Sequence, residues 1–436
     1  MTDSPAPHRG PLAGVRVIEF AQALAIPAAG LLLADMGADV VKVEPPTGDA
    51  IRHTMEPILP GESKGHTLLN RGKRCLCLDV TDPRSRPVIE RLVRSADIVL
   101  TSFKPADLPR YGLTYEDLRV MRPDIIYLEH QPLGSKGPLG GGPGYDVIVQ
   151  GLSGVAVIAA RTRDGVPVNI RPAFNDMGTG FLSALAVVAA LRHRDLTGEG
   201  QRVETSLLGT ATTLANQLVS WFAATDPPRD ERFSAEIAEA RARGAEYDEQ
   251  RGIWEQNYLK GGFANIYFRH YRTADGFVSV GCLSPGLNAR FRAAVGVRDP
   301  REEPGFDLSA EANRERLALL VRETEAIFAS RTTAEWVTGL QAGGVPCGPF
   351  NFPPDVFHDP QLLENGYIIE LEHPLFGAYK TFGPPIVMDK TPLAVQGPPP
   401  LLDQHTDEVL AELGFSPDER AALRASGVAG ARIPGV

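Results

Sequence analysis

A single acid, Asp176, stands at the head of the most apolar stretch of the chain, RPAFNDMGTGFLSALAVVAALRHR. Residues 181–191 carry almost no polar side chain, and a helix apolar on every face is a buried helix. The spacing predicts a core helix with Asp176 where a loop enters it. A carboxylate there meets free backbone N–H groups and the positive end of the helix dipole, which hold it ionised. One role is an N-cap. Gly178 and Gly180 favour another, because they let a ligand or a second backbone approach the acid closely. Tyr145 and Asp146 open another helix, directly after the Gly/Pro-rich run QPLGSKGPLGGGPG, whose length inside a compact domain points to function.

The elements that would position these residues alternate. Residues 15–20 read as an apolar strand, 28–36 as a helix and 39–44 as a strand, which makes a β-α-β unit. The crossover reads AQALAIP and lacks GxGxxG, so neither NAD nor FAD is expected. Strands at 74–80, 97–101, 124–129 and 202–207, with helices at 82–95 and 114–121, predict an α/β fold with a parallel sheet covered on both faces. Ligands bind such sheets beyond the carboxyl ends of the strands, here the loops 22–26, 45–52, 102–110 and 131–145. A helix is predicted over 208–224, bearing Trp221 and Phe222. Residues 225–260 are charged and without a core face, and read as a solvated helical excursion or linker. A hairpin around Ala274-Asp275-Gly276 and helices at 285–295, 310–329 and 333–342 form a smaller α+β domain. The Pro-rich stretch 391–400 reads as an extended strap, followed by a short helix at 407–413. The domain bounds are therefore 1–222 for the first part of the large domain and 223–262 for the charged linker. The small domain takes 263–365, and 366–436 forms the return linker with the rest of the large domain.

At 436 residues, two domains are expected. A net charge of -10 argues against nucleic-acid or anionic-membrane partners. Cys75, Cys77, Cys282 and Cys347 are too scattered for a zinc site or a disulfide framework, which fits a reduced cytoplasmic protein with no metal. No apolar run reaches the roughly 18 residues of a membrane span, and the N-terminus lacks a signal-peptide layout.

Many pieces in one order resemble the class III coenzyme A transferases, of the formyl-CoA transferase and carnitine CoA-transferase type. They include GVRVIEFAQALAIPAAGLLLADMGADVVKVEPP, LNRGKRCLCLDV, PGYDVIVQGLSG, the Asp176 stretch ending LTGEGQRVETSLL, GVPCGPF, EHPLFG and LLDQHTDEVLAELG. The resemblance covers nearly the whole chain and implies a Rossmann-like large domain, a small α+β domain and an interlocked homodimer. It implies CoA transfer from an acyl-CoA to a carboxylic acid, with CoA as substrate rather than a tightly bound cofactor. Asp176 would be the nucleophile, passing through an aspartyl anhydride and an aspartyl-CoA thioester, with Gly261 and Gly262 offering N–H groups to the oxyanion. Gln22, Leu24 and Ala25 would lie against pantetheine and thioester, and Leu78, Ser102 and Phe103 around adenine. Arg110 would be on the phosphate side, and Tyr145 is placed in the binding set. Pro45, Thr81 and Pro143 stand where formyl-CoA transferase has basic residues, so Arg52, Lys73 or Lys104 is expected to replace the charge. Leu24 replaces a glutamine, which argues against formyl-CoA or oxalate and suits a larger, less polar acyl group. Three alternatives share the fold: a 2-methylacyl-CoA racemase, intramolecular transfer on a dicarboxylic acid, and a non-catalytic CoA-binding scaffold. The racemase is disfavoured because Tyr145 replaces the histidine that such enzymes use as a base.

Overall fold

The computed structural model describes residues 10–259, 265–308 and 310–432. The chain forms two compact units, one running to Trp221 and resuming at Gln361, the other spanning Phe222–Pro360.

The first unit is built on six parallel strands: β1 (Arg16–Phe20), β2 (Asp39–Glu44), β3 (Arg74–Cys77), β4 (Ile98–Thr101), β5 (Ile126–His130) and β6 (Arg202–Thr205). Their order is β3-β2-β1-β4-β5-β6, the doubly wound Rossmann order, with its switch point between β1 and β4. Pairing is in register throughout, as in Val17 opposite Val40 and Ile98. Alternate side chains feed opposite faces. Ile18, Val41, Leu76, Val99 and Tyr127 enter one core. Val17, Val40, Leu100, Ile126 and Leu128 enter the other.

Helix α1 (Ala25–Asp35) follows β1 and is buried along its whole length. Helix α2 (Asp146–Leu152) precedes the long α3 (Phe174–Thr197), and α4 (Leu207–Leu214) follows β6. The core face of α3 contributes Ala184, Val187, Ala190 and Leu191. Its other face does not fit the expectation of burial all round: Phe181 is 50% and Leu185 65% exposed. Composition alone cannot separate a face destined for the protein's own core from one left for another surface. The 24 residues of α3 are also long and apolar enough to cross a membrane. Counting the run as 181–191 misses this, because Phe174–Gly180 adds only one charge. A core helix meets the same criterion, and α3 is packed against α1 and the sheet.

Gly180 serves that packing. A Cβ there would lie 2.6 Å from Ala28 Cβ and 2.9 Å from Ala25 O. A Cβ on Gly178 would meet Thr210 and Leu214 of α4 at 3.0 and 3.2 Å. Both glycines thus bring helices, rather than a ligand, close to α3. The helix predicted over 208–224 ends at Leu214, where Asn216 Nδ2 donates to Thr213 O and competes with the helical ladder. Trp221 lies beyond the helix and is exposed.

In the second unit the charged segment takes the helical form of the two expected for it. Helices α5 (Pro227–Ala242) and α6 (Tyr247–Tyr258) pack on each other through Phe233, Trp254 and Tyr258. The hairpin β7 (Phe268–Arg272) and β8 (Phe277–Gly281) pairs with β9 (Cys347–Pro349). Helices α7 (Pro285–Val295), α8 (Glu311–Phe328) and α9 (Thr333–Ala342) cover it, around a core of Tyr271, Phe291, Phe328 and Trp336.

Back in the first unit, β10 (Ile368–His373) and β11 (Gly377–Phe382) form a hairpin. The Pro-rich return runs extended along that unit: Ala394 N donates to Asp35 O at 3.0 Å, Gly72 N to Gly397 O at 3.0 Å and Arg52 Nη2 to Pro400 O at 3.1 Å. Helices α10 (Thr406–Glu412) and α11 (Pro417–Ala425) close the end, and Val409, Leu410, Phe415 and Val428 complete the first core.

Candidate active site

A cleft of about 470 Å³ opens beyond the carboxyl ends of β1, β4, β5 and β6, the crevice that the strand order creates. Its lining brings together Gln22, Leu24 and Ala25 after β1, Ser102, Phe103 and Lys104 after β4, and His130 and Gln131 at the end of β5. Tyr145 at the start of α2, Leu207 and Asp176 complete the wall.

Asp176 is the third residue of α3, in its first turn, while Ala173 occupies the cap position without a side-chain bond. Asp176 is therefore not the N-cap. Burial, with the nearby Asp146 carboxylate second, pushes its pKa up to about 7. This departs from a carboxylate held firmly ionised, since desolvation and a like charge outweigh the helix dipole. Asp146 is buried at the head of α2. Its Oδ2 accepts from Gln150 Nε2 at 2.5 Å, and Gln150 Oε1 accepts from Ile170 N at 2.8 Å. These bonds tie α2 to the segment that leads into Asp176.

The loop after β1 is held by a buried cation. Lys42 Nζ donates to Ala21 O at 2.7 Å and Glu19 Oε1 at 3.0 Å, and sits 3.0 Å from Asp49 Oδ2. Burial opposes its charge, but Glu19, Asp49 and Glu44 together hold it protonated, with a pKa above the usual lysine range. Asp49 Oδ1 in turn accepts from Ala23 N at 3.2 Å, and Ala23 has φ of 65°. A non-glycine residue in the left-handed region persists where surrounding bonds fix it. Ser102 Oγ accepts from Gln22 N at 3.4 Å, and Phe103 packs against Phe20 and Tyr111.

Comparison with known proteins decides the family. The profile of CoA-transferase family III matches residues 12–406. The chain belongs to that family. A succinate–glutarate CoA-transferase of Agrobacterium fabrum is 34% identical, covering 95% of this chain and 98% of its own length. A succinyl-CoA:glutarate CoA-transferase of Mus musculus is 30% identical, covering 92% and 86%. The crystal structure of Rv3272 from Mycobacterium tuberculosis superposes with a TM-score of 0.72 at 29% identity, covering 92% and 99%. This chain is thus a class III CoA-transferase that uses CoA thioesters as substrates.

Eight of the residues expected from the sequence line the cleft: Gln22, Leu24, Ala25, Ser102, Phe103, Lys104, Tyr145 and Asp176. Four do not. Arg52 is 1% exposed and spent on carboxylates, with Glu44 at 2.8 Å and Glu62 at 2.6 Å. Lys73 is buried against Glu19 at 2.8 Å, with Asn70 Oδ1 and Pro27 O as further acceptors. Burial pushes Lys73 down to about 8. Neither cation is presented to a phosphate, because a buried acid already claims it. Leu78 is fully buried in the sheet core, and Arg110 lies over the Tyr111 ring, outside the cleft lining. Gly261 and Gly262 fall outside the described residues.

Sequence reading misses His130 and places Gln131 only within the ligand loop 131–145 without singling it out; they are 5% and 3% exposed. Burial pushes His130 down to about 4. A signal exists in their position: both come directly after the strand predicted over 124–129, where such sheets place their ligands.

Proposed function

We propose that the enzyme moves CoA from an acyl-CoA thioester to a carboxylic acid by covalent catalysis at Asp176. The observation that carries this reading is the position of Asp176, a half-buried carboxylate on the wall of the switch-point cleft with a pKa of about 7. A carboxylate with that pKa is ionised in a large fraction of molecules near neutrality and is poorly solvated, both of which suit a nucleophile.

One Asp176 oxygen attacks the thioester carbonyl, the C–S bond breaks and CoA thiolate leaves a mixed anhydride. The thiolate then attacks the aspartyl carbonyl and releases the donor's carboxylate, leaving aspartyl-CoA. An acceptor carboxylate attacks that thioester, and the same two steps in reverse return free Asp176 and the new acyl-CoA. Each tetrahedral oxyanion needs N–H donors, the role assigned to Gly261 and Gly262 on resemblance. Intramolecular transfer on a dicarboxylic acid would use the same steps. A racemase would need a second base, and the low pKa of His130 makes it a poor one near neutrality.

A homodimer is part of the reading. The apolar residues Phe181 and Leu185 on the outer face of α3, with Leu152 and Trp221 of the same unit, are exposed as a partner surface would be. The cytoplasm is the proposed compartment, supported by four free cysteines.

Incubation with an acyl-CoA and hydroxylamine tests the mechanism. Inactivation through a hydroxamate at Asp176, located by peptide mass, is expected. The Asp176→Ala variant should bind CoA yet lose nearly all transfer. Full activity in that variant, or no adduct during turnover, refutes the mechanism.

A further inference from the structure

Asp49 is fully buried and outside the cleft lining, yet its bonds run to the cleft's walls. One oxygen, Oδ1, accepts from Ala23 N at 3.2 Å and from Ile51 N at 3.1 Å. Both residues line the cleft, Ala23 on the strip after β1 and Ile51 beside Ala50, Thr54 and Met55. The other oxygen is 3.0 Å from Lys42 Nζ, which itself donates to Ala21 O at 2.7 Å. One buried ion pair thus pins residues 21 and 23, and Gln22 N between them donates to Ser102 Oγ.

The pinning fixes a conformation that alanine does not favour. At a φ of 65° the Cβ of a non-glycine residue crowds the following carbonyl. Helix α1 does not hold the turn from its own side, since Leu24 at its cap position makes no side-chain bond. The bond from Ala23 N to Asp49 offsets the cost. The turn also sets where residues 22–25 stand relative to Asp176. A Cβ on Gly180 would lie 2.9 Å from Ala25 O, and Asp176 is one turn earlier on the same face of α3. Asp176 is therefore about 5.4 Å along α3 from the point where α1 begins.

We propose that Asp49 is a positioning residue for CoA transfer: by holding Ala23 left-handed, it aims the strip 22–25 at the thioester beside Asp176. The proposal rests on the reading of the cleft as the acyl-CoA site but not on the covalent mechanism. A misaligned thioester costs rate more than affinity, because small displacements at the reacting centre cut turnover steeply.

Initial rates would be read by chromatography of the CoA products, with glutarate as acceptor and butyryl-CoA or succinyl-CoA, whichever is faster, as donor. Asp49→Asn should lower kcat by about ten- to a hundredfold. Free CoA, titrated by calorimetry, should bind that variant within about twofold of the unaltered enzyme. Adding Ala23→Gly to it should recover about five- to thirtyfold in kcat, because glycine takes a positive φ without the steric cost. The urea midpoint, lowered by the weakened Lys42 pair, should not recover with it. Were Asp49 merely structural, glycine would restore nothing. Should Asp49→Asn fail to fold, two substitutions at the exposed Ala23 decide the matter. Asparagine tolerates the left-handed region and valine does not, although asparagine is no smaller. Ala23→Asn should therefore keep at least about fivefold more kcat than Ala23→Val. Equal rates for those two variants, no recovery in the double variant, or CoA affinity falling in step with kcat overturns the proposal. Full transfer in Asp176→Ala with the asparagine–valine difference intact would refute only the covalent mechanism.

Discussion

Neutralising Asp146 should make Asp176 a stronger acid, and the size of the change can be bounded. Two causes lift the Asp176 pKa from 3.8 to about 7: burial first, and the Asp146 charge second. Asp146→Asn removes only the smaller. The acidic limb of the kcat/KM profile, which reports the free enzyme's nucleophile, should therefore move down from about 7 but stay above roughly 5.4, the midpoint of that interval. The sign follows from the proposed mechanism: Asp176 must be ionised to attack, so activity falls as pH drops through its pKa, and a lower pKa extends activity to lower pH. The substitution is nearly isosteric, and its amide oxygen can still accept from Gln150 Nε2. The assay is a pH series of initial rates with one acyl-CoA and one acid, resolved by chromatography of the CoA products. A limb that stays put, or moves up, would show that the two carboxylates are not coupled and would undo the electrostatic account of the nucleophile.

Four other substitutions probe the frame. Arg52→Met should destabilise the fold by about 3–5 kcal/mol, because Glu44 and Glu62 lose the cation they share in the interior; urea denaturation reads this, and weaker CoA binding at unchanged stability would return Arg52 to the ligand set. Gly180→Ala should cost about 1–3 kcal/mol by driving α3 off Ala25 and Ala28, and a neutral effect on the thermal midpoint would contradict the close helix contact. Lys104→Ala should raise KM for acyl-CoA about tenfold at low salt and less at high salt, as loss of an exposed charge in the cleft predicts. Leu185→Glu should shift the proposed dimer to monomer in sedimentation velocity, since it places a charge on the exposed apolar face of α3; an unchanged sedimentation coefficient would count against that dimer.

The sheet is legible because a short, continuous apolar run between turn residues fits little except a buried strand. Asp39–Glu44, Pro285–Val295 and Thr333–Ala342 fall where the pattern puts them. Asp176 is legible because a lone acid at the mouth of an apolar helix is conspicuous. What stays hidden depends on pairing across the fold. Arg52 and Lys73 look like free cations in the sequence, and only tertiary structure brings Glu44, Glu62 and Glu19 against them. The strand Gly377–Phe382 is defined by its partner Ile368–His373 rather than by its own composition. The role of Gly178 and Gly180 inverts for the same reason, since local sequence cannot say whether a gap beside a glycine is filled by helix or by ligand. Helix Pro417–Ala425 carries a capping box at Ser416 and Glu419, a local signal that the hydrophobic pattern does not carry.

The first core is closed by residues more than three hundred positions along the chain from the strand they cover. Leu78 bridges to Ala429, and Cys77 N donates to Thr406 Oγ1 at 2.9 Å. Phe222–Pro360 is contiguous and can fold as soon as it emerges, whereas the nucleotide-type sheet must wait with an open flank until Thr406 and Ala429 have been made. Clipping even a few dozen residues from the tail should strip the sheet of its cover and leave an insoluble product rather than a slower catalyst.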